Sequence, residues 1–314
     1  MIAMFKKILS LVLAVSMVAG MSLVSSAAVV RRKSSTSTSS SSSAVYDLCT
    51  AQDLSQLESK MHKAFVTGLR NEEDTITLDV SGYSEKQVGD AFVTVMQMII
   101  DQHAEIFWLD PSMQNFVLSS DGTMTFYPRP VSTYYGTANK NGTAPSKLNT
   151  SAISSAEKQM ESIAKSITGS TRYELVKNIH DYIVKNSTYY DGSQDKASYH
   201  EATGVLLNGK AMCDGYAKAF KYLCDQKGIP AVVIGGTASN ALGQTGTHAW
   251  NYVKMEDGKW YSIDTGWDDP VVSGGGDNSK YRYVYFLKST IKNDARKKDN
   301  AYAYPTLSAS DYAA

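Results

Sequence analysis

Cysteine is scarce: the 314-residue chain has three, Cys49, Cys213 and Cys224. That excludes a small disulfide-stapled scaffold, and a chain of this length can bury a core without staples. An imbalance of charge is also missing. Lys plus Arg and Asp plus Glu both number 31, so nothing in the balance asks for a nucleic-acid partner. No metal-ligand spacing, phosphate loop or dinucleotide fingerprint occurs, and no metal and no cofactor are expected.

Long apolar runs are missing too, except at the start. Residues 1–28 pair basic Lys6 and Lys7 with an apolar run from Ile8 to Val24, then Ser25-Ser26-Ala27-Ala28 with small-x-small cleavage sites. This is the pattern of an export signal, its alternative being an uncleaved membrane anchor. Its loss would leave the mature chain at −2, off the membrane and outside the cell or on its surface. Residues 29–44 are rich in Ser and Thr and read as a flexible tether.

The remainder divides into an N-terminal helical and hairpin region at 45–145, a core at 146–290 and a C-terminal tail at 291–314. Helical periodicity runs from Leu54 to Leu69, and Ser84 with Gln87 forms a capping box for a second helix reaching about Glu105. Residues 75–80 alternate like a strand, and 116–128 form a hairpin turning at Asp121-Gly122. Helices are expected over 151–167 and 171–186, then from Cys213 to about Lys227, where Gly228 and Pro230 stop the helix. On that helix Cys213, Ala217, Phe220 and Cys224 share one side, with Asp214, Lys218, Lys221 and Asp225 on another. Strands follow at 231–234, 247–255 and 259–265. The fold class is α+β, a helix packed on an antiparallel sheet.

An odd number of cysteines leaves at least one thiol free or paired between chains. Cys213 and Cys224 lie about 16 Å apart along one helix, beyond the about 7 Å limit for a disulfide. Cys224 reads as a buried apolar thiol. Cys213 stands at the helix start, where free amides and the positive dipole end favour a thiolate. Two partners follow in order, His248 in THAWNYV and Asp264 in WYSIDTGWDDP. In a thiol site the imidazole takes the cysteine proton and the carboxylate fixes the imidazole. Hairpin register decides whether these two meet. A two-residue turn would set Asn251 against Asp264 and send Asp264 away from His248. A three-residue Glu256-Asp257-Gly258 loop with Gly258 left-handed sets Trp250 against Asp264 and leaves His248 and Asp264 on one face, and that loop is expected.

The segments GKAMCDGYAKAFKYLCDQKGIPAVVIGG, GTHAWNYVKMEDGKWYSID and GWDDP, with HDYIVKNSTYYD upstream, resemble the transglutaminase-like superfamily with its papain-like fold, in its secreted bacterial form. The resemblance implies Cys213 as nucleophile, His248 as general base and acid, and Asp264 as the orienting carboxylate. It also implies a cysteine peptidase, amidase or protein-glutamine acyltransferase that opens an amide bond through a Cys213 thioester. Met212 and Asp214 flank the cysteine where animal cross-linking enzymes carry tryptophan, and Thr265-Gly266 replaces the proline-threonine of many relatives.

The expected partner is a peptide or protein substrate, with wall-linked polymers as one class. Tyr216, Trp250 and Trp267 are candidates to line the cleft, against the plainer reading of each as core. His180 reads as a helix residue satisfied within the fold and His200 as a loop residue. The competing function is a non-catalytic surface binding module that retains the fold.

Overall fold

The computed structural model describes residues 54–111, 114–136, 147–190, 192, 196–239, 245–269, 282–289, 295–299 and 304–313. The expected signal and tether, Cys49 and the sequence before Leu54 lie outside them. Among the described residues no helix is long and apolar enough to cross a membrane.

Local sequence explains the first half. Helix α1 (Gln56–Arg70) starts at a Ser55/Glu58 capping box, and α2 (Glu85–Gln102) at the expected Ser84/Gln87 box. Between and after them β1 (Ile76–Asp79), β2 (Asn115–Leu118) and β3 (Thr123–Tyr127) form an antiparallel sheet in the order β1-β3-β2. The β2/β3 turn needs Gly122 at φ +84°, as the Asp121-Gly122 reading requires. Strand β3 alternates, burying Met124 and Phe126, and Phe126 meets Phe65 of α1 at 4.6 Å and Phe92 of α2 at 5.6 Å. Helix α2 stops three residues short of Glu105.

The second half supplies α3 (Thr150–Ser166), α4 (Arg172–Asn186), β4 (Thr188–Tyr189), α5 (Ala202–Leu206), β5 (Lys210–Ala211) and α6 (Cys213–Gln226). Strands β6 (Ala231–Ser239), β7 (Thr245–Lys254), β8 (Trp260–Ile263) and β9 (Arg296–Lys298) follow. The sheet is antiparallel in the order β8-β7-β6-β9, and α6 packs against β6 and β7. Mixed helix and antiparallel sheet is the α+β class that the pattern of elements implies.

Packing and strand pairing run across two of the boundaries read from sequence. Buried residues of both halves, from Leu57 to Leu287, belong to one apolar cluster. Gln102, at the end of α2, joins the halves: its side-chain amide donates to Val233 O at 2.7 Å and accepts from Val233 N at 3.1 Å, covering an edge of β6 that β9 leaves open. The expected tail, meanwhile, contains β9. It pairs with β6 through Gly236, where a Cβ would collide with Lys297 O.

The charged side of α6 is buried. Lys218 and Lys221 are 2% and 1% exposed, because neighbouring elements cover that side as well. Lys218 instead donates to Glu201 at 2.8 Å, and Lys221 to Asp225 at 3.0 Å and to Ala231 O at 3.1 Å. Buried charges survive only when partnered in this way.

Candidate active site

The chain approaches Cys213 along a fixed path. Strand β5 pairs in parallel with β4, matching Tyr189 to Ala211, and Met212 N donates to Tyr199 O at 2.9 Å. Extended Met212 then gives way to Cys213, the first residue of α6; Met212 supplies no side-chain cap, and Asp214 Oδ1 accepts from Gly215 N at 3.0 Å. The Cys213 amide, in the first turn, has no intrahelical partner. Gly215 permits the tight approach, since a Cβ there would lie 2.5 Å from Tyr199 O and 2.7 Å from Ala211 Cβ. Cys213 is a free, partly exposed thiol, whereas Cys224 is free and buried, and burial pushes its thiol well up.

The hairpin carries the rest. Gly258 sits at φ +79° and Met255 N bonds Lys259 O at 3.0 Å, the expected three-residue loop. Pairs Val253↔Tyr261 and Asn251↔Ile263 carry this register onward, so the next step sets Trp250 against Asp264. His248 and Asp264 thus share a face, and His248 Nε2 lies 2.9 Å from Asp264 Oδ2. The opposite face buries Val253, Met255, Tyr261 and Ile263 in the main core.

Electrostatics follows from burial. His248 would be discharged by desolvation, but the Asp264 carboxylate and then the Cys213 thiol, each also hydrogen-bonded to the ring, raise it to about 10. With Nε2 committed to Asp264, Nδ1 is the nitrogen left for sulfur. Asp264 likewise resists burial: His248 foremost, then Arg296 and the Trp267 amide, hold its carboxyl below the usual range. Its Oδ2 also accepts from Arg296 Nη1 at 3.1 Å, and its Oδ1 from Trp267 N at 3.0 Å. The Trp267 ring stacks on His248 at 4.8 Å and that of Trp250 at 5.9 Å.

Of the three aromatic candidates for a cleft wall, only Trp267 is partly exposed. Tyr216 is a correction: it is fully buried, with its hydroxyl donating to Asp269 at 2.6 Å. Trp250 is a second, 4% exposed in a small cluster with Val232, Ile234 and Tyr252. The Asp269 bond that buries Tyr216 belongs to a larger pattern. Asp268 takes His180 Nε2 at 3.1 Å while Asp181 takes Nδ1 at 3.2 Å, so GWDDP ties α4 and α6 beneath the turn that follows Asp264. His180 is satisfied within the fold, as expected.

Sequence reasoning missed three groups. Tyr189, in the quoted HDYIVKNSTYYD, has its hydroxyl pushed up by burial and then by the Cys213 sulfur, to which it is hydrogen-bonded. Two β-strand residues give no periodicity, so only the tyrosine-rich segment itself hinted at it. His200 lies in a 3₁₀ turn and not a plain loop, with Nδ1 2.6 Å from Asp214 Oδ2 beside the cysteine. Arg296 carried no signal, being far from every motif.

Residues 161–265 match the family model of the Transglutaminase-like superfamily, a span that includes Cys213, His248 and Asp264. The chain is 31% identical over 121 residues to the kyphoscoliosis peptidase of Mus musculus, covering 36% of this chain and 18% of that protein. It therefore spans less than a fifth of the length of that relative. Among solved structures, one described as a TGase is similar at 20% identity and a TM-score of 0.32, covering 53% of this chain and 46% of that one. The periplasmic domain of TgpA from Pseudomonas aeruginosa is similar at 19% identity and a TM-score of 0.27, covering 36% and 42%.

Proposed function

We propose, from the transglutaminase-like domain that residues 161–265 form, that this chain is a cysteine enzyme opening amide bonds through a thioester on Cys213. The observation that carries the reading is the position of His248, hydrogen-bonded to Asp264 at 2.9 Å on one side and to the Cys213 thiol on the other. The imidazole takes the thiol proton, and Cys213 Sγ bonds to the amide carbonyl carbon. As the C–N bond breaks, His248 returns that proton to the departing amine. Water or a second amine then attacks the thioester, giving its proton to His248, and the sulfur leaves. The oxyanion receives the uncapped Cys213 amide and the Tyr189 hydroxyl as donors.

The substrate in this reading is a peptide or protein, with peptide and isopeptide bonds as the reacting class, met outside the cell after export. Trp267, half-exposed over the imidazole, forms part of the wall it approaches. Turnover of a peptide library by the full chain, measured beside Cys213→Ala, tests the proposal. Products that persist in Cys213→Ala would remove it, and binding without turnover in the wild type would favour a non-catalytic module.

A further inference from the structure

Asp264 serves two cations. Its Oδ2 accepts from His248 Nε2 at 2.9 Å and from Arg296 Nη1 at 3.1 Å, and the side chains of Arg296 and Asp264 are 0% and 1% exposed. The guanidinium lies against three rings, 5.0 Å from Tyr285, 5.4 Å from Trp250 and 5.5 Å from Trp267. Arg296 opens β9, whose pairing of Ala238 with Arg296 brings it to the sheet from well beyond the matched family span. The geometry points to Arg296 as a positioning residue for the Cys213 reaction: β9 completes the site by supplying a fixed cation that keeps Asp264 ionised and aimed at His248.

The need arises from burial. A carboxylate removed from water tends to take up a proton, and a protonated Asp264 could no longer act as a charge that supports the imidazolium. His248 alone is an unsteady partner, because its charge comes and goes during the proposed cycle. A guanidinium stays charged throughout and, being planar, stacks on aromatic faces where an ammonium would be held less well. Among the described residues, the other ionisable groups facing this pair include Cys213 from α6, Tyr189 from β4, Asp268 from the turn after β8, and Tyr285. Only Arg296 among these carries a permanent positive charge.

This inference rests on the thioester reading, and the experiment separates the two. The alkylation rate of Cys213 by iodoacetamide is followed against pH in the full chain, resolved by peptide mass spectrometry. The variants are Arg296→Gln, Arg296→Met, Arg296→Lys, Asp264→Asn and Arg296→Gln with Asp264→Asn. In Arg296→Gln the acid-side inflection moves up by about one pH unit, a tenfold loss of thiolate on that limb. Arg296→Lys recovers most of the shift, and the double variant behaves as Asp264→Asn alone. Should Arg296→Met not fold, Arg296→Gln, which keeps a donor toward Oδ2, decides the matter. An unmoved inflection with only a lower melting temperature, or losses that add in the double variant, would reduce Arg296 to a structural role. An ordinary inflection near about 8.5 in the wild type would instead overturn the thioester reading itself.

Discussion

Two buried histidines, His248 and His180, both sit against carboxylates, yet the molecule uses them differently. His180 is fully enclosed and spends both nitrogens on acids, Asp181 at 3.2 Å and Asp268 at 3.1 Å. His248 spends one nitrogen on Asp264 and turns the other to a partly exposed thiol. A histidine with both nitrogens occupied is a rivet. Proton transfer needs one nitrogen held and one facing a reactive atom. The contrast extends to place: His180 joins α4 to the turn after β8, while His248 lies on a strand whose register is set by a left-handed glycine.

That contrast predicts opposite consequences of substitution. Cys213→Ala should abolish turnover while leaving the denaturation midpoint close to that of the wild type, both read on one preparation. His248→Ala should lower kcat by roughly 10³–10⁴-fold, as measured in a steady-state assay, and return the Cys213 alkylation inflection toward the free value of about 8.5. His180→Asn should do the reverse, costing about 3–5 kcal/mol in urea unfolding because Asp181 and Asp268 lose a buried partner, with kcat of the folded protein little changed. If His180→Asn instead removed activity at full stability, the division between rivet and proton carrier would fail.

Tyr189→Phe should lower kcat by about tenfold, near 1.4 kcal/mol in transition-state stabilisation, with a smaller change in KM. The last expected effect concerns pH. His248 is raised from its usual 6.5 to about 10 in the folded chain, so its contribution to stability is fully present below about 6.5 and is lost as pH rises toward 10. Melting temperature should therefore fall across that window. In His248→Gln the alkaline decline should flatten.

Much of this was legible because it is local. The Ser84/Gln87 box, the Asp121-Gly122 turn and the stop at Gly228 each act through a few neighbouring residues, and each stands where expected. The Glu256-Asp257-Gly258 loop is the most informative case, since a turn of three residues in place of two decides which face Asp264 joins. What was illegible depends on covering. Periodicity says that Lys218 and Lys221 share a side of α6, but not that neighbouring elements bury that side and that Glu201 and Asp225 neutralise it. For the same reason Tyr216 and Trp250 read equally well as cleft and as core, and the packing made both core.

Sequence alone determined the long helices, the main strands of the two hairpins, the hairpin register, and the order in which Cys213, His248 and Asp264 arrive, because capping, turn chemistry and strand alternation act over a few residues. Tertiary structure decided which groups surround them. Tyr189 reaches Cys213 through a two-residue parallel pairing, and Arg296 reaches Asp264 from 32 residues further along the chain. Such contacts close long loops, and whether a loop closes is set by the summed burial of the whole core and not by any pattern near the residues that meet.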